Sequence, residues 1–185
     1  MGTLLIVTGS PAAGKTAFAQ TLSKRLSIPL LCKDQMKIAL YEYLAFENQA
    51  QSRQLSKATV NVMLSAAESL MQCRIPLIME ANFRQEEAEK IQALILQHSY
   101  KALTYLFEGD PRVLGKRFID RDRTDERHPA NRTFDVEQDL GKYEKLFREF
   151  SVFDAGGETA KVDATNFASI DYEALVAMAE RILGK

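Results

Sequence analysis

The octapeptide GSPAAGKT, residues 9–16, directly follows the apolar run TLLIVT, residues 3–8. It matches the pattern G-x-x-x-x-G-K-[S/T] at every fixed position, and it lies between a predicted strand and a predicted helix, where that pattern binds phosphate. Gly9 and Gly14 permit backbone torsions that a Cβ would penalise, so amide groups can approach an anion closely. The start of the following helix adds free N–H donors and the positive end of its dipole. The octapeptide therefore predicts a nucleotide phosphate site.

The residues of this loop have separate expected roles. Lys15 should reach the β- and γ-phosphates, and the Thr16 hydroxyl should coordinate Mg²⁺. The residues expected to contact the nucleotide are Gly9, Ser10, Pro11, Ala12, Ala13, Gly14, Lys15, Thr16 and Ala17. GTPases, motor ATPases and small-molecule kinases share this loop, so it does not separate them. The chain has no N-K-x-D segment for reading guanine, which disfavours a regulatory GTPase.

Apolar runs alternate with amphipathic helical patterns along the 185 residues. The predicted strands are TLLIVTG, IPLLCKD, PLIMEANF, KALTYLFEG and AKVDAT. The predicted helices are 15–26, two pieces within 35–73, 86–98, 111–121 and 169–183. The second piece carries an apolar stripe of Leu55, Ala58, Val62, Leu64, Ala66 and Leu70. Ser169 is the candidate N-cap of the last helix. Strands that alternate with helices favour one α/β domain, residues 1–185, with a parallel sheet covered on both faces.

Composition limits the range of partners. A net charge of −1 gives no electrostatic signal for nucleic acid or an anionic membrane. No apolar run approaches the roughly 18 residues of a membrane span, and the opening run lacks the features of a signal peptide. Cys32 and Cys73 are expected to be buried free thiols in a reducing compartment. We therefore expect a cytoplasmic monomer or homodimer that binds a small molecule, without a membrane or nucleic-acid partner.

Asp34, at the end of the second predicted strand, is a candidate catalytic residue. Ligands of parallel sheets bind beyond the carboxyl ends of the strands, so Asp34 should face the γ-phosphate region. A carboxylate there can accept the proton of an attacking hydroxyl. Alternatively, Asp34 is the N-cap of the helix that begins at Gln35, and both roles can hold together. Lys33 is either a contact for an anionic acceptor or an exposed side chain.

The segment after the third predicted strand, PLIMEANFR, supplies further candidates. Motor ATPases usually end this strand with an acidic pair, whereas here a single acid, Glu80, is present. Glu80 could hold Mg²⁺ through water or bind the acceptor hydroxyl, and Thr16 is the other candidate metal ligand. Asn82 and Arg84 are candidate acceptor contacts.

The polar, arginine-rich residues 117–133 predict a lid over the phosphate site. Arg117 and Arg121 share a helix face at i, i+4. We expect both to contact the nucleotide, and Arg121 and Arg127 to stabilise the transferring phosphoryl group. The acids of this segment are Asp120, Asp122, Asp125 and Glu126. If these acids pair with the arginines, the segment is a solvated charged surface and not a lid.

Five segments carry a family resemblance: GSPAAGKT, KDQMKIALY, IMEANFRQ, the arginine-rich lid and VDAT. They resemble the small P-loop kinases grouped with chloramphenicol phosphotransferase and the zeta-toxin kinases, which are AAA_33-like ATP-binding proteins. The resemblance covers almost the whole chain. It implies a three-layer α/β/α fold with a five-stranded parallel sheet of order 2-3-1-4-5, an ATP·Mg²⁺ donor, and a hydroxyl or phosphate acceptor.

The resemblance also implies roles for individual residues. Asp34 matches the acid that acts as base or acceptor ligand, and Arg117, Arg121 and Arg127 match lid arginines that engage ATP phosphates or stack on adenine. Nucleoside-monophosphate kinases carry Gly-Phe-Pro-Arg after the third strand, whereas this chain has ANFR, which disfavours a nucleotide acceptor.

Together these features predict an ATP- and Mg²⁺-dependent phosphotransferase that acts on a hydroxyl of a small molecule. Residues 34–73 would form the acceptor region, with Tyr41, Tyr43 and Phe46 as candidate walls. Two alternatives stay open: a kinase for a nucleic-acid 5′-hydroxyl or a nucleotide, and a nucleotide-gated ATP-binding module without efficient transfer. His128, in the lid, either fixes a turn or contacts phosphate.

Overall fold

The computed structural model describes residues 2–124, 127–133, 144 and 147–184, so Asp125, Glu126 and part of the predicted lid lie outside the described residues. The strands are β1 (Thr3–Gly9), β2 (Leu30–Cys32), β3 (Leu77–Glu80), β4 (Lys101–Glu108) and β5 (Glu158–Asp163). They form one parallel sheet in the order β2-β3-β1-β4-β5. This confirms the predicted fold class and the strand order implied by the resemblance.

Helices connect the strands. They are α1 (Lys15–Leu26), α2 (Lys33–Tyr41), α3 (Gln49–Gln72), α4 (Gln85–His98), α5 (Pro111–Asp122) and α6 (Tyr172–Leu183). Pro129–Asn131 and Phe167–Ser169 form short 3₁₀ helices, and residues 147–150 are helical as well. None of the helices in the described part of the chain is long and apolar enough to cross a bilayer.

The central strand β1 is buried on both faces, which explains its unbroken apolar sequence. Leu5 and Val7 pack with residues of α1, α5 and α6 on one side of the sheet. Leu4 and Ile6 pack with residues of α3 and α4 on the other side. Alternate side chains of one strand thus join the two helical layers, and the phosphate loop begins where this central strand ends.

The predicted apolar stripe of α3 is confirmed at Leu55 and Leu64 but wrong at Ala58 and Val62. Val62 is 48% exposed, and Ala58 is exposed too. The buried face is instead formed by Ser52, Leu55, Thr59, Val60, Met63, Leu64, Ala67 and Met71. Thr59 can occupy this face because its hydroxyl donates to the Leu55 carbonyl at 2.7 Å. A pattern of apolar side chains cannot reveal a buried polar residue of this kind, whose hydroxyl bonds to the backbone of its own helix.

Other expectations at element ends also need correction. The last helix begins at Tyr172, where the Asp171 carboxylate accepts from the Ala174 amide at 2.9 Å, so Ser169 is not its N-cap. Ser169 belongs to a 3₁₀ helix and donates its hydroxyl to Asn166. Cys32 is buried as expected, but Cys73 is exposed.

The start of the phosphate loop is fixed by close backbone contact with β4. The φ angle of Gly9 is +115°, and a Cβ built on it would lie 2.0 Å from the Phe107 carbonyl oxygen. The same carbonyl accepts from the Ser10 amide at 2.8 Å. Glycine is therefore required here both by its torsion and by the approach of a neighbouring strand.

We expect Gly9→Ala to lower the free energy of unfolding by about 3 kcal/mol or more, because the strained torsion and the backbone clash add together. Gly156→Ala is the matched control, since Gly156 also has positive φ (+80°) but a Cβ there meets only the Gln92 side chain at 3.4 Å. This control should cost only about 1–2 kcal/mol. Urea unfolding measures both, and equal losses would contradict the role of the close approach to β4.

Candidate active site

The loop between β1 and α1 leaves the start of α1 open to an anion. Gly14 is the N-cap of α1 at φ +82°, and it has no side chain with which to satisfy the first amides of the helix. Ala12 also has positive φ, +58°, an unfavourable torsion for a residue with a Cβ. Such a strained loop before an uncapped helix is the geometry of a phosphate cradle.

Lys15 holds a buried positive charge at the base of this loop. Its side chain is buried, the residue being only 5% exposed, and Nζ donates to the Ser10 carbonyl at 2.6 Å. Burial lowers the pKa of Lys15 to about 8, although the carboxylates of Glu80 and Asp34 act to raise it. The ammonium therefore lies within electrostatic range of two carboxylates that come from different strand ends.

Glu80 ends β3 directly beside Cys32, its register partner on β2. The Cys32 thiol donates to Glu80 Oε2 at 3.0 Å, and burial raises the pKa of Cys32 to about 12, so the sulfur stays protonated. Burial also raises the pKa of Glu80, against the effects of Lys15 and of hydrogen bonds from Cys32 and Thr16. The structure thus brings together Glu80 and Thr16, the two residues predicted as metal ligands.

Asp34 lies in the first turn of α2, which begins at Lys33. The N-cap position is Cys32, and no side chain caps this helix, so the predicted capping role of Asp34 is wrong. Lys33 Nζ lies 3.1 Å from Asp34 Oδ1. Burial alone would raise the pKa of Asp34, but Lys33, Arg127 and Lys15 together keep it below its usual value. Asp34 is therefore an ionised carboxylate close to the phosphate loop.

The predicted lid arginines have different surroundings. Arg121, on α5, lines the same cleft as the phosphate loop, and its buried Nε has no hydrogen-bond partner among the described residues. Burial lowers the pKa of Arg121, and the neighbouring Arg127 adds to this effect. Arg127 lines the cleft too, but its Nε forms an ion pair of 2.6 Å with the buried Asp122. Of these two arginines, Arg121 is thus the one whose Nε has no partner among the described residues.

Arg117 does not line this cleft, although it lies one turn before Arg121. Its guanidinium donates to the carbonyls of Ala164 and Thr165 at 2.6 and 2.8 Å. It also lies over the Phe167 ring, 4.0 Å from the centroid. Arg117 therefore fastens the loop after β5, beside the phosphate loop, and a flat aromatic surface is part of that contact.

Asn82 and Arg84 follow β3 along one side of the cleft. Asn82 Nδ2 donates to the Gly9 carbonyl at 2.7 Å, and this hydrogen bond helps to hold the first residue of the phosphate loop in place. Arg84 is half-exposed, pairs with Glu149 at 3.3 Å and lies 5.5 Å from the Phe150 ring. The two residues predicted as acceptor contacts thus also have structural partners in the protein.

The cleft has a volume of about 1040 Å³ and is bounded on one side by α2 and α3. The lining side chains that the sequence did not single out include Lys37, Gln49, Ser52, Arg53, Ser56, Lys57 and Val60. Arg53 and Lys57 are spaced i, i+4, and this signal was available in the sequence.

The three aromatic residues proposed as acceptor walls are not among the described residues that line the cleft. Tyr41 ends α2, so Tyr43 and Phe46 are not on that helix, and Tyr43 is 87% exposed. Tyr41 packs edge-on against Phe46 and His128. His128 Nδ1 accepts from the Ala130 amide at 3.2 Å, which corresponds to the predicted turn-fixing role.

The donor set fits a metal that is shared with a phosphate ligand. The described residues contain no group of three or more His, Cys, Asp or Glu side chains that could hold an ion. Thr16 and Glu80 provide one hydroxyl and one carboxylate, which suits Mg²⁺, because that ion usually keeps few protein ligands and binds substrate phosphates and water.

The family model AAA_33, described as an AAA domain, matches residues 4–145. The chain belongs to the AAA_33 family. The matched range spans the phosphate loop, Asp34, Glu80 and the lid arginines, so the candidate site lies within the AAA_33 domain. No curated protein sequence matches the chain.

Solved structures similar to this AAA_33 protein include several kinases. A presumed kinase from Chloroflexus aurantiacus J-10-fl is 28% identical with a TM-score of 0.86, and the match covers 97% of each chain. Shikimate kinase from Bacteroides thetaiotaomicron is 14% identical with a TM-score of 0.59, over 99% of each chain. A gluconokinase from Sinorhizobium meliloti 1021 is 16% identical with a TM-score of 0.54, over 99% of this chain and 91% of the other. The chain has the fold of a P-loop kinase.

We expect the buried charge of Lys15 to make stability depend on pH. Below pH 8 the lysine is charged in both states, so the cost of burying the charge opposes folding fully. Between about pH 8 and the ordinary value of 10.5, the unfolded chain binds more protons than the folded one, and the free energy of unfolding rises with pH. Lys15→Met removes this titration.

The stability advantage of Lys15→Met over the wild type should therefore be largest near pH 7 and shrink by about 3 kcal/mol up to pH 10.5. Chemical unfolding at a series of pH values measures this difference. Other titrating groups are common to the two proteins and cancel. A difference that stays constant over this range would contradict the lowered pKa of Lys15.

Proposed function

We propose that this AAA_33 protein transfers the γ-phosphoryl group of ATP to a hydroxyl group of a small molecule. The observation that carries the proposal is the arrangement of Lys15, Asp34 and Arg121 around one cleft. A buried cation, an ionised carboxylate and an arginine with an unsatisfied Nε meet beside an uncapped helix start. This combination suits phosphoryl transfer, because the catalysis depends on positioning and on stabilising charge.

The nucleotide would bind with its phosphates in the loop of residues 9–16. The backbone amides at the start of α1 and the Lys15 ammonium would hold the β- and γ-phosphates. The Phe167 ring, held by Arg117 beside Gly14, supplies an apolar surface near the loop for the base. Thr16 and Glu80 would hold Mg²⁺, which neutralises phosphate charge when it is bound.

In the transfer step, the acceptor oxygen forms a bond to the γ-phosphorus while the bond from that phosphorus to the β,γ-bridging oxygen breaks. ADP leaves with the electron pair of the broken bond. Asp34 orients the acceptor hydroxyl and accepts its proton, which then passes to solvent. Arg121 stabilises the negative charge that is spread over the transferring group.

The similarity to kinases supports the alcohol acceptor. Two of the similar structures are named gluconokinase and shikimate kinase, which are named for small hydroxylated molecules. Their identity to this chain is low, so they support a class of acceptor and not a particular compound.

Lys15→Ala should lower ATP turnover by at least about 100-fold, because it removes a preorganised cation from the phosphate site. Coupled detection of ADP during a screen of hydroxylated acceptors measures this loss, and circular dichroism checks the fold. Lys24→Ala, on the exposed side of the same helix, is the matched control and should keep full turnover. Undiminished turnover in Lys15→Ala would reject the loop as the ATP site.

Asp34→Asn should separate binding from transfer. We expect ATP affinity to stay within about twofold, while acceptor-dependent transfer falls by about 100-fold or more, because the amide cannot take up the proton. Calorimetry measures the affinity, and ADP release measures the transfer. Asp171→Asn, at the start of the remote helix α6, controls for changes at a helix N-terminus. A parallel loss of binding and transfer would show that Asp34 serves the loop and not the acceptor.

A further inference from the structure

The cleft is far more cationic than the protein as a whole. Among the described residues that line it, Lys and Arg outnumber Asp and Glu by nine to five, whereas the whole chain has a net charge of −1. Some of this charge surrounds the phosphate loop and serves a nucleotide. Four of the cations, Lys33, Lys37, Arg53 and Lys57, lie instead on α2 and α3, on the side of the cleft where the acceptor would bind.

Lys37 is the centre of this second group. It is 4% exposed, lines the cleft, and donates from Nζ to the Ser52 hydroxyl at 3.0 Å. Its ammonium lies 5.0 Å from the centroid of the Phe46 ring. No carboxylate in the described ranges forms a salt bridge with it. Burial lowers the pKa of Lys37 to about 8, and the nearby charges of Lys33 and Arg127 add to this effect, whereas the Asp34 carboxylate acts to raise the pKa.

A buried ammonium whose hydrogen-bond acceptor is neutral is costly, and here the Asp34 carboxylate, which forms no salt bridge with Lys37, offsets only part of the desolvation. Packing α2 against α3 does not require that charge, since an unbranched apolar side chain would fill the same space. A ligand anion would supply a direct counter-charge. Among the described residues Lys37 has no ion-pair partner, and it lines a cleft that a ligand can enter.

Two exposed cations on α3 line the same side of the cleft as Lys37. Arg53 and Lys57 lie one turn apart on α3, and both line the cleft next to Ser52 and Ser56. Neither forms a salt bridge to a carboxylate of the described segments. The guanidinium and the ammonium can therefore turn toward an oxyanion held by Lys37 and the serine hydroxyls.

The position of Asp34 relates this surface to the reaction. Asp34 and Lys37 are spaced i, i+3 on α2, which puts their Cβ atoms about 5–6 Å apart on one face of the helix. A molecule whose anionic group binds at Lys37 would present a neighbouring hydroxyl to Asp34. The spacing favours an acceptor in which the hydroxyl and the charge are only a few bonds apart.

We propose that Lys37, Ser52, Arg53 and Lys57 form an oxyanion subsite, and that the acceptor is a small hydroxylated molecule with a phosphate or carboxylate group. The acceptor half of this inference rests on the proposed kinase function. Anion binding by the subsite does not, so the two can be tested separately.

The binding test uses the full chain saturated with ADP and Mg²⁺, so that the phosphate loop is filled, and titrates it with inorganic phosphate by calorimetry. We expect the wild type to bind phosphate, Lys37→Met to weaken binding at least tenfold, and Arg53→Gln to weaken it at least threefold. Lys24→Met, at an exposed position of α1, is the control and should bind as the wild type does. Equal phosphate affinity in the wild type and both subsite variants overturns the proposal, as does absence of phosphate binding to the wild type.

Arg53→Gln keeps the binding test decisive if Lys37→Met does not fold, because Arg53 is exposed and its substitution leaves the packing of α2 on α3 unchanged. Circular dichroism and the ADP affinity of each variant show whether the fold and the phosphate loop are intact.

The acceptor test compares matched hydroxylated compounds that carry a phosphate, a carboxylate or no charge, by acceptor-dependent ADP release. We expect turnover with a charged compound, little with its neutral analogue, and a rise in KM of at least tenfold in Lys37→Met. The charged compound that is accepted distinguishes phosphate from carboxylate. Equal use of neutral compounds overturns the acceptor assignment and leaves the kinase function standing. Phosphate binding that depends on Lys37, without turnover of any acceptor, supports the subsite and counts against the kinase function.

Discussion

The burial of one positive charge, that of Lys15, is the constraint on which the cleft depends. The side chain is almost fully removed from water and has the Ser10 carbonyl as its direct partner. Glu80 and Asp34 moderate the cost of this burial from two other strand ends. The sheet or a neighbouring side chain fixes each of these carboxylates. Together they compensate in part for the hydration that the ammonium loses when it is buried.

The parallel sheet is what makes these groups neighbours. The order β2-β3-β1 aligns the carboxyl ends of three strands that are far apart in the sequence, and the register pairs Glu80 with Val7 on one side and Cys32 on the other. The Cys32 thiol orients the Glu80 carboxylate, and α2 leaves the sheet immediately afterward with Asp34 in its first turn. The cleft is therefore a product of topology as much as of residue type.

Periodicity and motif spacing predicted a parallel α/β sheet with a loop of phosphate-binding pattern after β1, and the family resemblance supplied the strand order. They were insufficient where a side chain depends on a partner distant in sequence. Lys37 has the sequence position of an ordinary surface lysine on a short helix, and only the packing of α2 on α3 shows that it is buried beside Ser52. Arg117 and Arg121 are both arginines and lie one turn apart on α5. Arg117 nevertheless binds the loop after β5, whereas Arg121 lines the cleft. Their separation depends on where the carbonyl of Ala164 lies, which no helical periodicity can reveal.

The contact between Arg117 and Phe167 joins three parts of the chain into one unit. Arg117 extends from α5, Phe167 comes from the 3₁₀ helix after β5, and the Phe167 ring lies 3.1 Å from the position of a Cβ on Gly14. The ring therefore contacts the Arg117 guanidinium of α5 and also lies beside the start of α1. A residue near the other end of the polypeptide thus lies against the first helical turn, and through it the arginine-bearing helix and the phosphate cradle share a neighbour.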